Sequence, residues 1–186
     1  HTLGCKVNFT ETATLSRKFQ DKGASLVSFD EFADIYIINT CSVTENANIK
    51  CDKLVDSLKE KNPDAYIAVT GCYAQLKPKE LSNNQNINLV VGTDSKMDIA
   101  DIIFNDVHQN NAVQISDIKD INQFKISYSI DERVRSFIKV QDGCDYNCSF
   151  CTIPMARGKS RSASISDVID IVKSLEVRGI NEIVLS

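Results

Sequence analysis

Ala65-Tyr66-Ile67-Ala68-Val69-Thr70-Gly71-Cys72 is the stretch that decides the fold. Residues 65–69 are apolar without alternation, and Thr70 and Gly71 punctuate the run at once. A short strand that is apolar on both sides needs cover on both faces, which is the habit of parallel sheets. Two other segments repeat the pattern of apolar strand, small polar turn and cysteine: Thr2-Leu3-Gly4-Cys5 and Ile35-Tyr36-Ile37-Ile38-Asn39-Thr40-Cys41. Helical patterns lie between them. Asn8 and Glu11 form a capping pair for a helix to about Lys22, and Ser42 and Glu45 form one for a helix to about Lys61. Leu89–Val91 reads as a further strand and Lys96–Phe104 as a helix. Residues 1–107 are therefore expected to be one α/β domain of about five βα-type units around a parallel sheet.

Residues 108–130 change character. His108-Gln109-Asn110-Asn111 is polar, and the apolar residues that follow alternate loosely, so this reads as a linker with one or two edge strands. Residues 131–186 begin a second unit. Phe137-Ile138-Lys139-Val140 is strand-like, and a loop of about 24 residues follows. Ser164 then caps a helix whose apolar face is Ile165, Val168, Ile169, Val172 and Leu175, with Gly179 ending it. Glu182–Leu185 is the next strand. The chain opens at His1, inside what reads as a strand end, so further sequence is expected before it.

Composition fits a soluble globular class: 42% of the 186 residues are hydrophobic and 25% charged. Ile35-Tyr36-Ile37-Ile38, the longest uncharged apolar run, is far too short to span a bilayer. Seven cysteines cannot all pair within one chain, which favours metal or cluster binding in a reducing compartment. A net charge of −4 weighs against a nucleic-acid partner. Arg157, Lys159 and Arg161, however, stand together with no acid between them.

Two constellations carry chemistry. Cys144, Cys148 and Cys151 have Cys-x3-Cys-x2-Cys spacing, which can hold three corners of a cubane cluster and leave the fourth iron open. A ferredoxin site uses four cysteines. A zinc knuckle also wants four ligands, and no His or Cys lies downstream to supply the fourth. In a parallel sheet, Cys5, Cys41 and Cys72 emerge together at the C-terminal edge, where open α/β sheets place ligands. Cys41 precedes a helix N-terminus, which favours thiolate. Three buried structural cysteines would satisfy the same periodicity. Cys51 falls on the apolar face of its helix with Ala47, Leu54, Val55 and Leu58 and reads as core. His1 and His108 read as strand or loop residues.

Cys-x3-Cys-x-Phe150-Cys resembles the signature of the radical S-adenosylmethionine superfamily. Thr2-Leu3-Gly4-Cys5-Lys6-Val7-Asn8, Asn39-Thr40-Cys41-Ser42-Val43-Thr44, Gly71-Cys72-Tyr73-Ala74-Gln75 and Ile153-Pro154-x2-Arg157-Gly158-Lys159-Ser160-Arg161-Ser162 resemble the methylthiotransferase family within it. The resemblance implies two [4Fe-4S] clusters: an auxiliary one on Cys5, Cys41 and Cys72, and the radical one on Cys144, Cys148 and Cys151. It further implies S-adenosylmethionine as cofactor, a tRNA substrate, a flavodoxin- or ferredoxin-type electron donor, no membrane and a cytoplasmic setting. The implied fold is the α/β domain followed by the truncated start of a radical partial (β/α) barrel. The implied chemistry is removal of hydrogen from an unreactive C–H by a 5′-deoxyadenosyl radical, then transfer of methylated sulfur; such a step requires a cofactor. Arg157, Lys159 and Arg161 are expected near S-adenosylmethionine or RNA phosphate. Lys6-Val7-Asn8 and Ser42-Val43-Thr44 are similar to the branch that acts on N6-threonylcarbamoyladenosine. The isopentenyladenosine branch is the alternative. A zinc-stabilised, non-catalytic RNA-binding module and an electron-transfer protein are the rivals from other classes.

Overall fold

The structure, a computed structural model, describes residues 1–41, 45–105, 112–130, 135–146 and 148–186, without the side chains of 45–47. The first unit runs α1 (Lys6–Asp21), β1 (Ile35–Thr40), α2 (Glu45–Lys61), β2 (Tyr66–Gly71), α3 (Cys72–Leu76), α4 (Pro78–Ser82), β3 (Leu89–Val91), α5 (Ile99–Asn105) and β4 (Ala112–Gln114). A 3-10 turn, Ser95–Asp98, leads into α5. The four strands form one parallel sheet in the order β1-β2-β3-β4. Thr2 adds a single parallel bridge to Asn39 on the free edge of β1.

The period of two along each strand divides the core. Tyr36, Ile38, Ile67 and Val69 face α2, α3 and α4, packing with Val55, Leu58, Tyr73 and Leu81. Tyr66, Ala68, Leu89 and Val91 face the other way, against Leu15 of α1 and Ile99 and Ile103 of α5. Both faces are covered, so the strands carry apolar residues at successive positions. Ile67 is fully buried at the centre; cutting it to Ala would cost about 2–5 kcal/mol. Cys51 lies in the first of these cores, also fully buried.

The start of α1 differs from the sequence expectation. The helix begins at Lys6 with Cys5 at its N-cap, and no side chain caps it. Asn8 and Glu11 lie inside the helix and are buried, so they are not a capping pair. Ser42, expected to cap α2, lies outside the described residues, as does His108.

The second unit comprises β5 (Ser127–Tyr128), β6 (Arg135–Lys139), β7 (Gln141–Asp142), α6 (Ile153–Arg157), β8 (Arg161–Ser162), α7 (Ile165–Val177) and β9 (Glu182–Leu185). β6 and β9 pair in parallel across α7, giving one βαβ unit, and β5 flanks β6 antiparallel. The Ser164 hydroxyl accepts from the Asp167 N–H and caps α7. Leu175 is buried, whereas Ile165 and Ile169 are exposed. Residues 112–128 thus supply one strand to each sheet.

Helix α1 packs against both sheets. Leu15 faces the first, while Thr10 meets Ser127 at 3.0 Å and Arg17 donates to the Tyr128 carbonyl at 2.7 Å. Phe9 and Phe137 pack edge to face. Among the described residues, no helix is long and apolar enough to cross a membrane.

Candidate cysteine sites

The register of the first sheet aligns three strand ends. Thr2 bridges Asn39, Asn39 pairs with Thr70, and Thr40 pairs with Gly71. Cys41 and Cys72 follow Thr40 and Gly71 directly, and Cys5 follows the Thr2 bridge by three residues. All three thiols are free: Cys5 exposed, Cys41 half-buried, Cys72 buried at the first turn of α3. Two glycines allow the close approach. A Cβ on Gly4 would stand 2.8 Å from the Cys41 Cβ, and one on Gly71 would stand 2.2 Å from the Thr40 carbonyl oxygen. Both have positive φ, which disfavours other residues. Asn39 Oδ1 and Thr70 Oγ1 are buried at these same ends without a hydrogen-bond partner.

Cys144, Cys148 and Cys151 lie on a loop closed at its base. β7 and β8 pair antiparallel, the Cys144 N–H donates to the Gly158 carbonyl at 3.0 Å, and the Ser160 N–H donates to Asp145 at 3.0 Å. Gly143 at φ +73° lets the two arms touch, since a Cβ there would sit 2.2 Å from the Lys159 carbonyl oxygen. At the tip, the Cys151 N–H donates to the Cys148 carbonyl. Cys148 is exposed; Cys144 and Cys151 are half-buried. Phe150 is 90% exposed, so it does not serve as a core anchor for the loop. Among the described residues, no three His, Cys, Asp or Glu side chains stand together as a ready metal site.

Between the two cysteine sites lies a buried polar network that sequence reasoning missed. Glu11 of α1 receives Lys96 at 2.6 Å, Arg157 at 3.0 Å and Lys139 at 3.2 Å. Asp142 receives Arg157 at 2.8 Å and Lys139 at 3.2 Å. Arg157 also donates to Asn8 Oδ1 at 2.7 Å. Burial by itself would raise the Glu11 carboxyl, but Arg157, Lys96 and Lys139 outweigh it and hold the group well below the glutamate range. Asp142 is depressed in the same way: burial is outweighed by Arg157 and Lys139, with Glu11 opposing them. Burial disfavours the charge on Arg157, yet Glu11, Cys72 and Asp142 hold it above its ordinary value. No local pattern announces this network, because its members come from four elements and the 3-10 turn.

The basic residues after the loop therefore separate in place. Arg157 is only 4% exposed and fully engaged, so its guanidinium does not face a phosphate here. Lys159 is exposed. Arg161 is half-buried, 3.9 Å from Asp142. A cavity of about 560 Å³ lies at the other end of β1 from its cysteine, lined by Leu15, Phe19, Phe32, Ile35 and Phe104.

A parallel α/β domain presenting cysteines at its C-terminal strand edge, joined to a βαβ unit with a closed cysteine loop, is the class this fold and site define. Residues 1–92 match the model of "Uncharacterized protein family UPF0004". Over its whole length the chain is 39% identical to the threonylcarbamoyladenosine tRNA methylthiotransferase MtaB of Aquifex aeolicus and 36% identical to that of Bacillus subtilis, covering 46% and 42% of them. It is 31% identical, over 99% of its length, to a tRNA-2-methylthio-N(6)-dimethylallyladenosine synthase of Methylacidiphilum infernorum, covering 41% of it. The chain belongs to the methylthiotransferase family, and it spans less than half the length of these relatives.

Proposed function

We propose that this chain serves a radical S-adenosylmethionine methylthiotransferase that converts N6-threonylcarbamoyladenosine beside the tRNA anticodon to its 2-methylthio form. The observation that carries the reading is the arrangement of six free cysteines as two triplets, one on adjacent strand ends and one on a closed loop. The donors are all soft thiols, which suits iron–sulfur ligation. Cys5, Cys41 and Cys72 would hold the auxiliary [4Fe-4S] cluster, and Cys144, Cys148 and Cys151 the radical one. When bound, the clusters and S-adenosylmethionine supply the one-electron chemistry and the sulfur that side chains lack.

The chain's own residues do the rest. Gly4 and Gly71 let the strand ends that carry these cysteines approach closely. The paired base of the second loop keeps Cys144 beside Gly158. Exposed Lys159 would meet RNA phosphate, and unstacked anticodon-loop bases suit a protein of this kind. A flavodoxin- or ferredoxin-type donor would deliver electrons. The substrate assignment draws on the similarity to the two threonylcarbamoyladenosine tRNA methylthiotransferases and on the Lys6-Val7-Asn8 run. Nucleoside mass spectrometry of tRNA from cells lacking the full-length gene tests it. Loss of 2-methylthio-threonylcarbamoyladenosine supports the assignment. Its persistence, with loss of the methylthio isopentenyl nucleoside, supports the other branch.

A further inference from the structure

One side chain touches the surroundings of both cysteine triplets. Arg157 Nη1 donates to Asp142 Oδ1 at 2.8 Å, and the same oxygen accepts from the Gly143 N–H, next to Cys144. Arg157 Nη2 donates to Asn8 Oδ1 at 2.7 Å. The Asn8 amide then donates to the Thr40 carbonyl at 2.8 Å and the Leu3 carbonyl at 3.3 Å. Thr40 directly precedes Cys41, and Leu3 stands two residues before Cys5. Thr40 Oγ1 in turn donates to the Thr70 carbonyl at 2.6 Å, two residues before Cys72. Asn8 and Thr70 are fully buried, and Thr40 nearly so.

We infer that Arg157, acting through Asn8, is a positioning residue that locks the two cysteine triplets into one fixed relative placement. The inference rests on the reading of the triplets as cluster sites. The chemistry selects these two residue types. A guanidinium presents five donors in a rigid fork and can serve Asp142, Glu11 and Asn8 at once; an ammonium cannot span them. Because Arg157 only donates, it fixes which end of the Asn8 amide faces it, and so turns the NH2 toward the two carbonyls. A carboxylate at residue 8 would keep Arg157 but lose both donations. Glu11, by contrast, binds the cations without reaching the backbone of either triplet.

Two variants and two readouts test this. In the iron-free full-length protein, backbone amide exchange is followed at residues 3–5, 39–41 and 70–72 for wild type, Asn8→Asp and Arg157→Lys. In the protein carrying both reduced clusters, electron paramagnetic resonance reads the spin–spin interaction between them. Both variants should exchange about tenfold faster at 3–5 and 39–41, the weight of one charge-assisted hydrogen bond. Iron content should equal that of wild type, while the inter-cluster interaction becomes broader. Wild-type exchange and interaction in both variants would overturn the inference and leave the network as glue between the two units. If Arg157→Lys does not fold, Asn8→Asp decides, since it leaves Arg157 among carboxylates. If wild type takes up no clusters, the cluster reading fails, and the exchange rates still decide whether the relay holds the strand ends.

Discussion

Arg157 Nη1 lies 3.0 Å from Glu11 Oε1, although 146 residues of chain separate the two. This contact is buried and joins the parallel-sheet unit to the βαβ unit. Three cations converge on Glu11; removing its charge takes from Lys96 the carboxylate it pairs with and leaves Arg157 and Lys139 to Asp142 alone. Glu11→Gln should destabilise the chain by about 3–5 kcal/mol, the usual cost of breaking a buried ion pair from one side. Denaturant unfolding measures it. A loss under about 1 kcal/mol would mean that the network contributes little.

Acid should act through the same carboxylates. Glu11 and Asp142 are held below their ordinary values of 4.5 and 3.8 in the folded chain. The unfolded state therefore takes up protons first as pH falls. Their stabilisation is complete above about pH 4.5 and is lost below it, through the depressed folded values. Urea midpoints measured from pH 7 downward should stay level and then drop, and the drop should be shallower in Glu11→Gln.

Cys51 should be chemically silent. Its thiol is fully buried and is pushed up to about 12 by burial and by Asp52. Mass mapping after brief native alkylation at pH 8 should find Cys5 and Cys148 labelled and Cys51 untouched. Cys51→Ala should cost on the order of 1 kcal/mol and leave the iron content unchanged. Fast labelling of Cys51 would place it outside the core.

Gly71→Ala should be costly for two reasons. The residue sits at φ +105°, and the added carbon would meet the Thr40 carbonyl oxygen at 2.2 Å. We expect a loss of about 1–3 kcal/mol and faster alkylation of Cys72 as the strand ends part. Gly23→Ala is the control, since its φ is also positive but a Cβ there meets nothing within 4 Å.

Anaerobic reconstitution of the full-length protein should load iron at two independent sites. Replacing Cys144, Cys148 and Cys151 with Ala should leave about half the iron, and replacing Cys5, Cys41 and Cys72 should leave the other half. One equivalent of zinc with no iron absorption would favour the zinc-stabilised RNA-binding module.

The parallel sheet was legible because β2 carries apolar residues on both faces, which only a doubly covered strand tolerates. The gathering of Cys5, Cys41 and Cys72 at one edge followed from the shared direction of the strands. The role of α1 was not legible. Asn8 and Glu11 have the spacing of a capping box, and local pattern offers no sign that Lys96, Lys139, Asp142 and Arg157 will surround them. Arg157 was misleading for the same reason. A basic residue beside two others reads as a surface patch, and only the long-range fold buries it.

The in-register strand ends make chain length between the cysteines a free variable. What sets the distance from Cys41 to Cys72 is the spacing of neighbouring strands, about 4.8 Å, not the intervening residues. An insertion in the turn at residues 62–65, between α2 and β2, would lengthen the path and leave both thiols where they are. A single residue inserted between Thr40 and Cys41 would carry one thiol out of the row. Tolerance to insertion along this chain should therefore follow distance from the strand ends, so a scan of one-residue insertions would trace the sheet edge without any structure at all.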